Sequence, residues 1–128
     1  MQTFWIATYL PNVINYEGVN GLEQLKWKKQ GYDQVTYDLT FPFIRMLAGP
    51  VDYTQGAMRN ATQKGYYPNN HEPMSQGTRC RQLAEYIIFE SPFNMLCDTP
   101  INYMKEQECT DFISSVPTIW DETVGSGQ

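Results

Sequence analysis

The chain has 128 residues, 41% of them hydrophobic and 14% aromatic, which suffices for one ordinary domain around a single core. Its formal net charge is −5, and the nearest approach to a basic patch is the short cluster Lys26-Trp27-Lys28-Lys29; nucleic-acid binding, which requires phosphate neutralisation, is therefore disfavoured. No run of residues approaches the ~20 apolar positions of a membrane span.

The opening stretch, Met1 to Leu10, is apolar but has no positively charged leader region, and Pro11 interrupts it. It reads as a start made inside a longer protein rather than as a signal peptide. Val13-Ile14 is a short strand candidate. After it comes Asn15-Tyr16-Glu17-Gly18-Val19-Asn20-Gly21-Leu22-Glu23, a glycine-containing loop with two acids six positions apart. In a parallel α/β barrel, side chains at that end of a strand face the catalytic mouth. A pair of carboxylates there can hold a hard cation or donate a proton to a leaving oxygen. Two unrelated acids on a solvated loop remain the commoner meaning of such a spacing.

The next periodic segment predicts a helix from about Val35 to Leu47. Val35, Leu39, Phe43, Met46 and Leu47 fall on one face. Pro42 bends that helix or marks its true start, and Gly49-Pro50 ends it. A second unit begins at Val51-Asp52 and continues into a loop from Tyr53 to Gln76, of a length that is usually functional or disordered. Asp52 is a candidate for binding sugar hydroxyls, with a structural role equally open. His71, the sole histidine, stands beside Glu72 in that loop; it is a weaker candidate for the same task, and no Ser/His/Asp arrangement can be built on it. Asn60-Ala61-Thr62 matches the N-glycosylation pattern, a weak signal. Arg79 is placed to tie the long loop down. Cys80, Leu83, Ala84, Ile87 and Ile88 then mark the clearest amphipathic helix, stopped by Ser91-Pro92.

The third unit opens with a strand candidate, Phe93 to Cys97, closed by Asp98. Thr99 and Pro100 are suited to the cap and first position of a helix, with Asp98 assisting the cap. That helix is expected to run to about Ser115, carrying Ile101, Met104, Cys109, Phe112 and Ile113 on its apolar side, and Pro117 breaks it. Thr118-Ile119-Trp120 is placed to begin another strand, and Gly125 to Gln128 should fray. The three cysteines, Cys80, Cys97 and Cys109, have no C-x-x-C spacing and read as buried thiols. Strand-to-strand spacings of about 35 to 46 residues suit βα units with loop insertions. The expected fold class is therefore α/β: three parallel strands with amphipathic helices, too few to close a barrel.

Several strings together carry a family resemblance. They are Tyr9-Leu10-Pro11-Asn12, Asn15-Tyr16-Glu17-Gly18-Val19, Gly21-Leu22-Glu23, the run from Phe41 to Thr54, Ser91 to Asp98, and Val116 to Thr123. In combination they resemble glycoside hydrolase family 97, over nearly the whole chain from about Thr8 to Thr123. The resemblance implies an α-glucosidase or α-galactosidase with a calcium ion (Ca2+) in its active site. The family fold is an N-terminal β-sandwich, a central (β/α)8 TIM barrel and a C-terminal β-sandwich. Residues 1–117 then look like the last three βα units of the barrel, and 118–128 like the start of the following β-domain or a flexible tail. By position, Glu23 matches the general acid, which becomes the acid/base in retaining members. Glu17 matches a calcium ligand, and Glu23 also approaches the metal. The substrate is an oligosaccharide with a terminal α-linked sugar. The nucleophile or base, further calcium ligands and the N-terminal part of the barrel are expected upstream of residue 1, so the chain alone should be inactive. Members of the family commonly work in the periplasm. The alternative reading is a non-catalytic carbohydrate- or partner-binding module, suggested by the acidic, Tyr-rich composition and the missing second carboxylate.

Overall fold

A computed structural model describes residues 10–25, 27, 31–72 and 74–125. The opening stretch to Tyr9, the lysines of the basic cluster and the last three residues lie outside the described residues, as does Pro73. In chain order the elements are α1 (Leu22–Leu25), α2 (Gln34–Thr40), α3 (Pro42–Arg45) running into a 3-10 turn (Met46–Ala48), β1 (Thr54–Gln55), β2 (Asn60–Ala61), β3 (Ser75–Gln76), α4 (Arg79–Ile88), β4 (Met95–Leu96), α5 (Pro100–Lys105) and α6 (Gln107–Ser115).

The organising feature is parallel pairing around the segment 51–55. Tyr16 bridges Val51 in parallel, with Tyr16 N–H donating to Pro50 O at 3.3 Å and Asp52 N–H to Tyr16 O at 2.8 Å. On the other side β1 pairs in parallel with β4, in the register Thr54 with Met95 and Gln55 with Leu96, and Val51 N–H donates to Glu90 O at 2.9 Å. Parallel pairing of three chain segments is thus as the sequence predicts. The first is displaced: pairing begins at Tyr16 rather than at Val13-Ile14, whose side chains are exposed. The expected strand at Thr118-Ile119-Trp120 does not form.

The long loop is more ordered than its composition suggests. It contains β1, β2 and β3, of which β2 and β3 pair in parallel. Asn60 lies inside that pairing, donating Nδ2 to Ala57 O at 3.0 Å and accepting from Ser75 Oγ at 2.6 Å. Its side chain is committed to the fold, which argues against the glycosylation reading. Arg79 ties the loop down as expected, donating Nε to Met58 O at 2.9 Å and gripping Glu106 through both terminal nitrogens at 2.6 and 2.8 Å.

The helices depart from expectation in an informative way. The helix expected over 35–47 is broken at Phe41. Asp33 caps α2 by accepting from Thr36 N–H at 3.0 Å. Pro42, which lacks an N–H, opens α3 at its first turn. The expected apolar face is largely turned outward: Leu39, Phe43 and Leu47 are 65%, 79% and 77% exposed. In α4 likewise Cys80, Ile87 and Ile88 are exposed, while Gln82, Glu85 and Tyr86 are buried. Leu39, Phe43 and Ile88 instead line an open groove of about 480 Å3 between α2/α3 and α4. The helix from Pro100 is divided at Glu106, although Thr99 caps it and Pro100 opens it as expected. The cysteines also differ from expectation: Cys80 is exposed, Cys97 and Cys109 are half-buried, and all three are free.

What these helices bury is a polar network rather than an aliphatic seam. Asp38 Oδ1 accepts from Tyr53 Oη at 2.6 Å and from Gln34 Nε2 at 2.7 Å. Arg81 donates to Asp38 Oδ2 at 2.5 Å and also to Glu85. Gln82 Oε1 accepts from Gly56 N–H at 3.0 Å, and Gln76 Oε1 from Gln34 N–H at 3.1 Å. Above it sits an aromatic cluster: the Phe41, Tyr53 and Phe89 rings lie 4.9 to 5.6 Å apart, packed with Val19, Leu22, Val51 and Tyr66. Helical periodicity in the sequence reports apolar positions, so it found the outer faces of α2 and α4 and missed the hydrogen-bonded inner ones. Removing one partner from a buried charged network costs about 3–5 kcal/mol.

Two carboxylates share one guanidinium here, and this makes stability depend on pH. Burial first, and the charge of Asp38 second, push the Glu85 carboxyl up to about 8 against the pull of Arg81; burial also raises Asp38. The folded chain therefore keeps a proton that the unfolded chain releases near its ordinary 4.5. Stability falls as pH rises from about 5 to about 8 and then levels off. Urea unfolding across that range should show this decline, and Glu85→Gln should flatten most of it. An equally steep decline in Glu85→Gln would contradict the assignment.

Candidate functional site

Parallel strands end on one side, and three acids follow from that. Glu17 stands one residue past the bridge at Tyr16, and Asp52 one residue past its partner Val51. Glu23 lies in the first turn of α1. All three line one small pocket of about 40 Å3, with Gly21, Gln24, Thr54 and Met95. The two glutamates are exposed at its mouth and Asp52 is half-buried.

The loop that carries them is held at four points. Gly18 supplies a turn with φ of +86°, a conformation glycine adopts without steric cost. Arg45 directs its guanidinium at backbone oxygens, reaching Tyr16 O at 2.7 Å, Glu17 O at 2.8 and 3.0 Å, and Gly49 O at 3.2 Å. Thr54 Oγ1 accepts from Glu23 N–H at 3.3 Å. Gly21 allows that approach: a Cβ there would stand 2.6 Å from Thr54 Oγ1 and 3.3 Å from Thr54 N. Gln24 Nε2 donates to Glu17 Oε1 at 3.0 Å and to Glu23 Oε1 at 2.8 Å. Burial, then the charge of Glu17, raises the Asp52 carboxyl above its ordinary range.

Of the candidates named from sequence, the fold thus brings Glu17, Glu23 and Asp52 together. His71 is exposed on the long loop and does not line this pocket. Asp98 serves the fold: its Oδ2 accepts from Met58 N–H at 2.8 Å, and its Oδ1 accepts from Thr99 N–H and Asn102 Nδ2, each at 2.7 Å. Sequence reasoning passed over Gln24, Arg45 and Thr54. Gln24 had an adjacent signal, being next to Glu23 on a loop already singled out. Arg45 had none, because its role is set by a carbonyl cluster that only the fold assembles.

The donor chemistry suits a hard cation. The pocket offers carboxylate, amide and hydroxyl oxygens and neither thiol nor imidazole, the set calcium prefers. Gln24 Oε1 is buried without a hydrogen-bond partner, and an adjacent cation would satisfy it. Calcium takes six to eight oxygens, whereas among the described residues no group of three or more His, Cys, Asp or Glu side chains is arranged to hold a metal. Glu17 and Glu23 alone would fill only part of such a shell.

Known proteins are similar to this chain over most of its length. A retaining α-galactosidase of Bacteroides thetaiotaomicron is 68% identical over 114 residues, 89% of this chain and 17% of that protein's length. A solved glycoside hydrolase family 97 enzyme from Pseudoalteromonas sp. strain K8, in complex with panose, superposes with a TM-score of 0.70 at 35% identity. That superposition covers 88% of this chain and 16% of that one. The chain is similar to a segment of a glycoside hydrolase family 97 enzyme. A probable retaining α-galactosidase of Streptomyces bingchenggensis is 27% identical over 113 residues, covering 88% of the chain and 15% of that protein. No family model matches the sequence. The chain thus spans about a sixth of the length of these relatives, and its parallel strands and flanking helices match part of the fold of the solved family 97 enzyme.

The close approach at Gly21 gives a direct test of how the site is held. Gly21→Ala should lower unfolding stability by about 1–3 kcal/mol, because the Thr54 backbone cannot move aside as its side chain can. Gly125→Ala, with nothing within 4 Å, should change it by less than about 0.5 kcal/mol. Equal urea midpoints for the two variants would contradict the packing described.

Proposed function

We propose that this segment supplies the general acid of a retaining α-galactosidase, Glu23, together with Glu17 as one of the calcium-holding carboxylates. The observation that carries the reading is the convergence of Glu17, Glu23 and Asp52 on one pocket at the strand ends. Galactose is favoured over glucose by the similarity to a retaining α-galactosidase, at 68% identity.

In this reading Glu23 presents a carboxyl to the glycosidic oxygen and transfers its proton as the bond breaks; the carboxylate left behind then takes a proton from the attacking water. The helical first turn and the Thr54 latch on its backbone fix where that carboxyl can stand. Glu17, with its backbone oxygen held by Arg45, and Glu23 would hold the calcium ion. When bound, the ion supplies positive charge beside the developing charge of the leaving group. Asp52 is placed to accept hydrogen bonds from sugar hydroxyls. A two-carboxylate mechanism needs a second acid within reach, and in this proposal the rest of the barrel provides it. Residues 1–117 then belong to the barrel and 118–128 lead out of it. A periplasmic setting is part of the same proposal.

The reading is tested by transplanting the segment over the 114 matched residues of the Bacteroides thetaiotaomicron relative. The chimera should hydrolyse alkyl α-galactosides, and Glu23→Gln should lower kcat by about 10²- to 10⁴-fold, with a much smaller loss of kcat/KM on a dinitrophenyl galactoside, whose leaving group needs no proton. A Glu23→Gln chimera as active as its parent would refute the assignment. The 128-residue chain by itself should show no turnover, and calorimetry should find calcium binding no tighter than about 0.1 mM. Micromolar binding by the isolated chain would mean that its shell is complete.

A further inference from the structure

The two glutamates at the pocket mouth face a physical difficulty that one neighbour resolves. Carboxylates converging on a pocket of about 40 Å3 repel one another, and each is drawn towards solvent unless something holds it. The Arg45 guanidinium is directed at backbone oxygens of Tyr16, Glu17 and Gly49. The group that spans the pair is the Gln24 amide, whose Nε2 donates one hydrogen to Glu17 Oε1 at 3.0 Å and the other to Glu23 Oε1 at 2.8 Å. The amide Oε1 is buried without a partner, and it lies beside Gly21, where an added Cβ would come within 3.4 Å of it. The backbone N–H of Gln24 donates to Gly21 O at 3.1 Å, which fixes the origin of the side chain.

We infer that Gln24 is a positioning residue for the glycosidase chemistry: its amide clamps Glu17 and Glu23 together and sets the direction in which the Glu23 carboxyl is presented. This rests on the reading of Glu23 as the general acid. Glu23 Oε1 is the atom held by the clamp, so Oε2 is left as the oxygen offered to the leaving group. Without the clamp, the Glu23 side chain can rotate away from the strand ends, and proton delivery is slowed more than sugar binding.

The test uses the chimera described above with Gln24→Met, which is close in length and lacks both donors, and Gln24→Glu, which keeps the shape and places a third acceptor against the pair. Each should lower kcat on an alkyl α-galactoside by about 10- to 100-fold, the range expected for loss of a charge-assisted hydrogen bond, with KM changed less than about threefold. On the dinitrophenyl galactoside the loss in kcat/KM, which reports the bond-breaking step alone, should shrink to less than about threefold. An equal loss on both substrates in both variants would assign Gln24 to folding alone and overturn the inference. So would wild-type kcat in either folded variant. If Glu23→Gln is harmless on the alkyl substrate, the general-acid reading fails instead, whatever Gln24 does.

Discussion

The whole arrangement depends on the parallel pairing of one short segment, 51–55, with Tyr16 on one side and with β4 on the other. Parallel neighbours end on the same side of a sheet, and that geometry alone places Glu17, Asp52 and Met95 around one opening. An antiparallel partner would send one acid to the far end. The pairing is short, however, and short parallel pairs are weak by themselves. Its alignment is maintained by what lies beneath it: the Phe41, Tyr53 and Phe89 rings, and under them Asp38, Arg81 and Glu85.

That support explains how a chain rich in polar residues at its centre holds a defined site. Tyr53 links the layers, being part of the aromatic cluster and a hydrogen-bond donor to Asp38. Two residues before it, Val51 makes the bridge to Tyr16, and the next residue, Thr54, latches the backbone of Glu23. The segment 51–55 therefore carries sheet pairing, core packing and site positioning within five consecutive positions. Arg45 adds a cross-tie from α3 to the loop of Glu17. The acids themselves make few of these contacts, which leaves their carboxylates available to a ligand.

Much of this was legible in the sequence, and the failures have a common physical cause. The order of the units, the caps at Thr99-Pro100 and the pair Glu17 and Glu23 could be read because glycine, proline and acids mark loops and strand ends directly. The family strings around Tyr16, Phe41 to Thr54 and Ser91 to Asp98 added the site assignment. The burial of α2 and α4 was misread because their inward faces carry Gln34, Asp38, Gln82 and Glu85, residues that count as solvent-facing when only hydrophobic periodicity is consulted. The outward Leu39, Phe43, Leu47 and Ile88 were read as core for the same reason. Arg45 and Gln24 were missed because their partners are backbone oxygens and carboxylates brought near by the fold.

The central claim is that three separate stretches of chain meet at one pocket, and paramagnetic relaxation by Mn2+ tests it directly. In amide spectra of the labelled 128-residue chain, low Mn2+ should broaden Glu17, Glu23, Gln24, Asp52, Thr54 and Met95 together, while Glu72 and Asp111 are broadened no more than the rest of the molecule. Broadening confined to one of these stretches, or spread evenly over every exposed acid, would contradict a shared site at the strand ends.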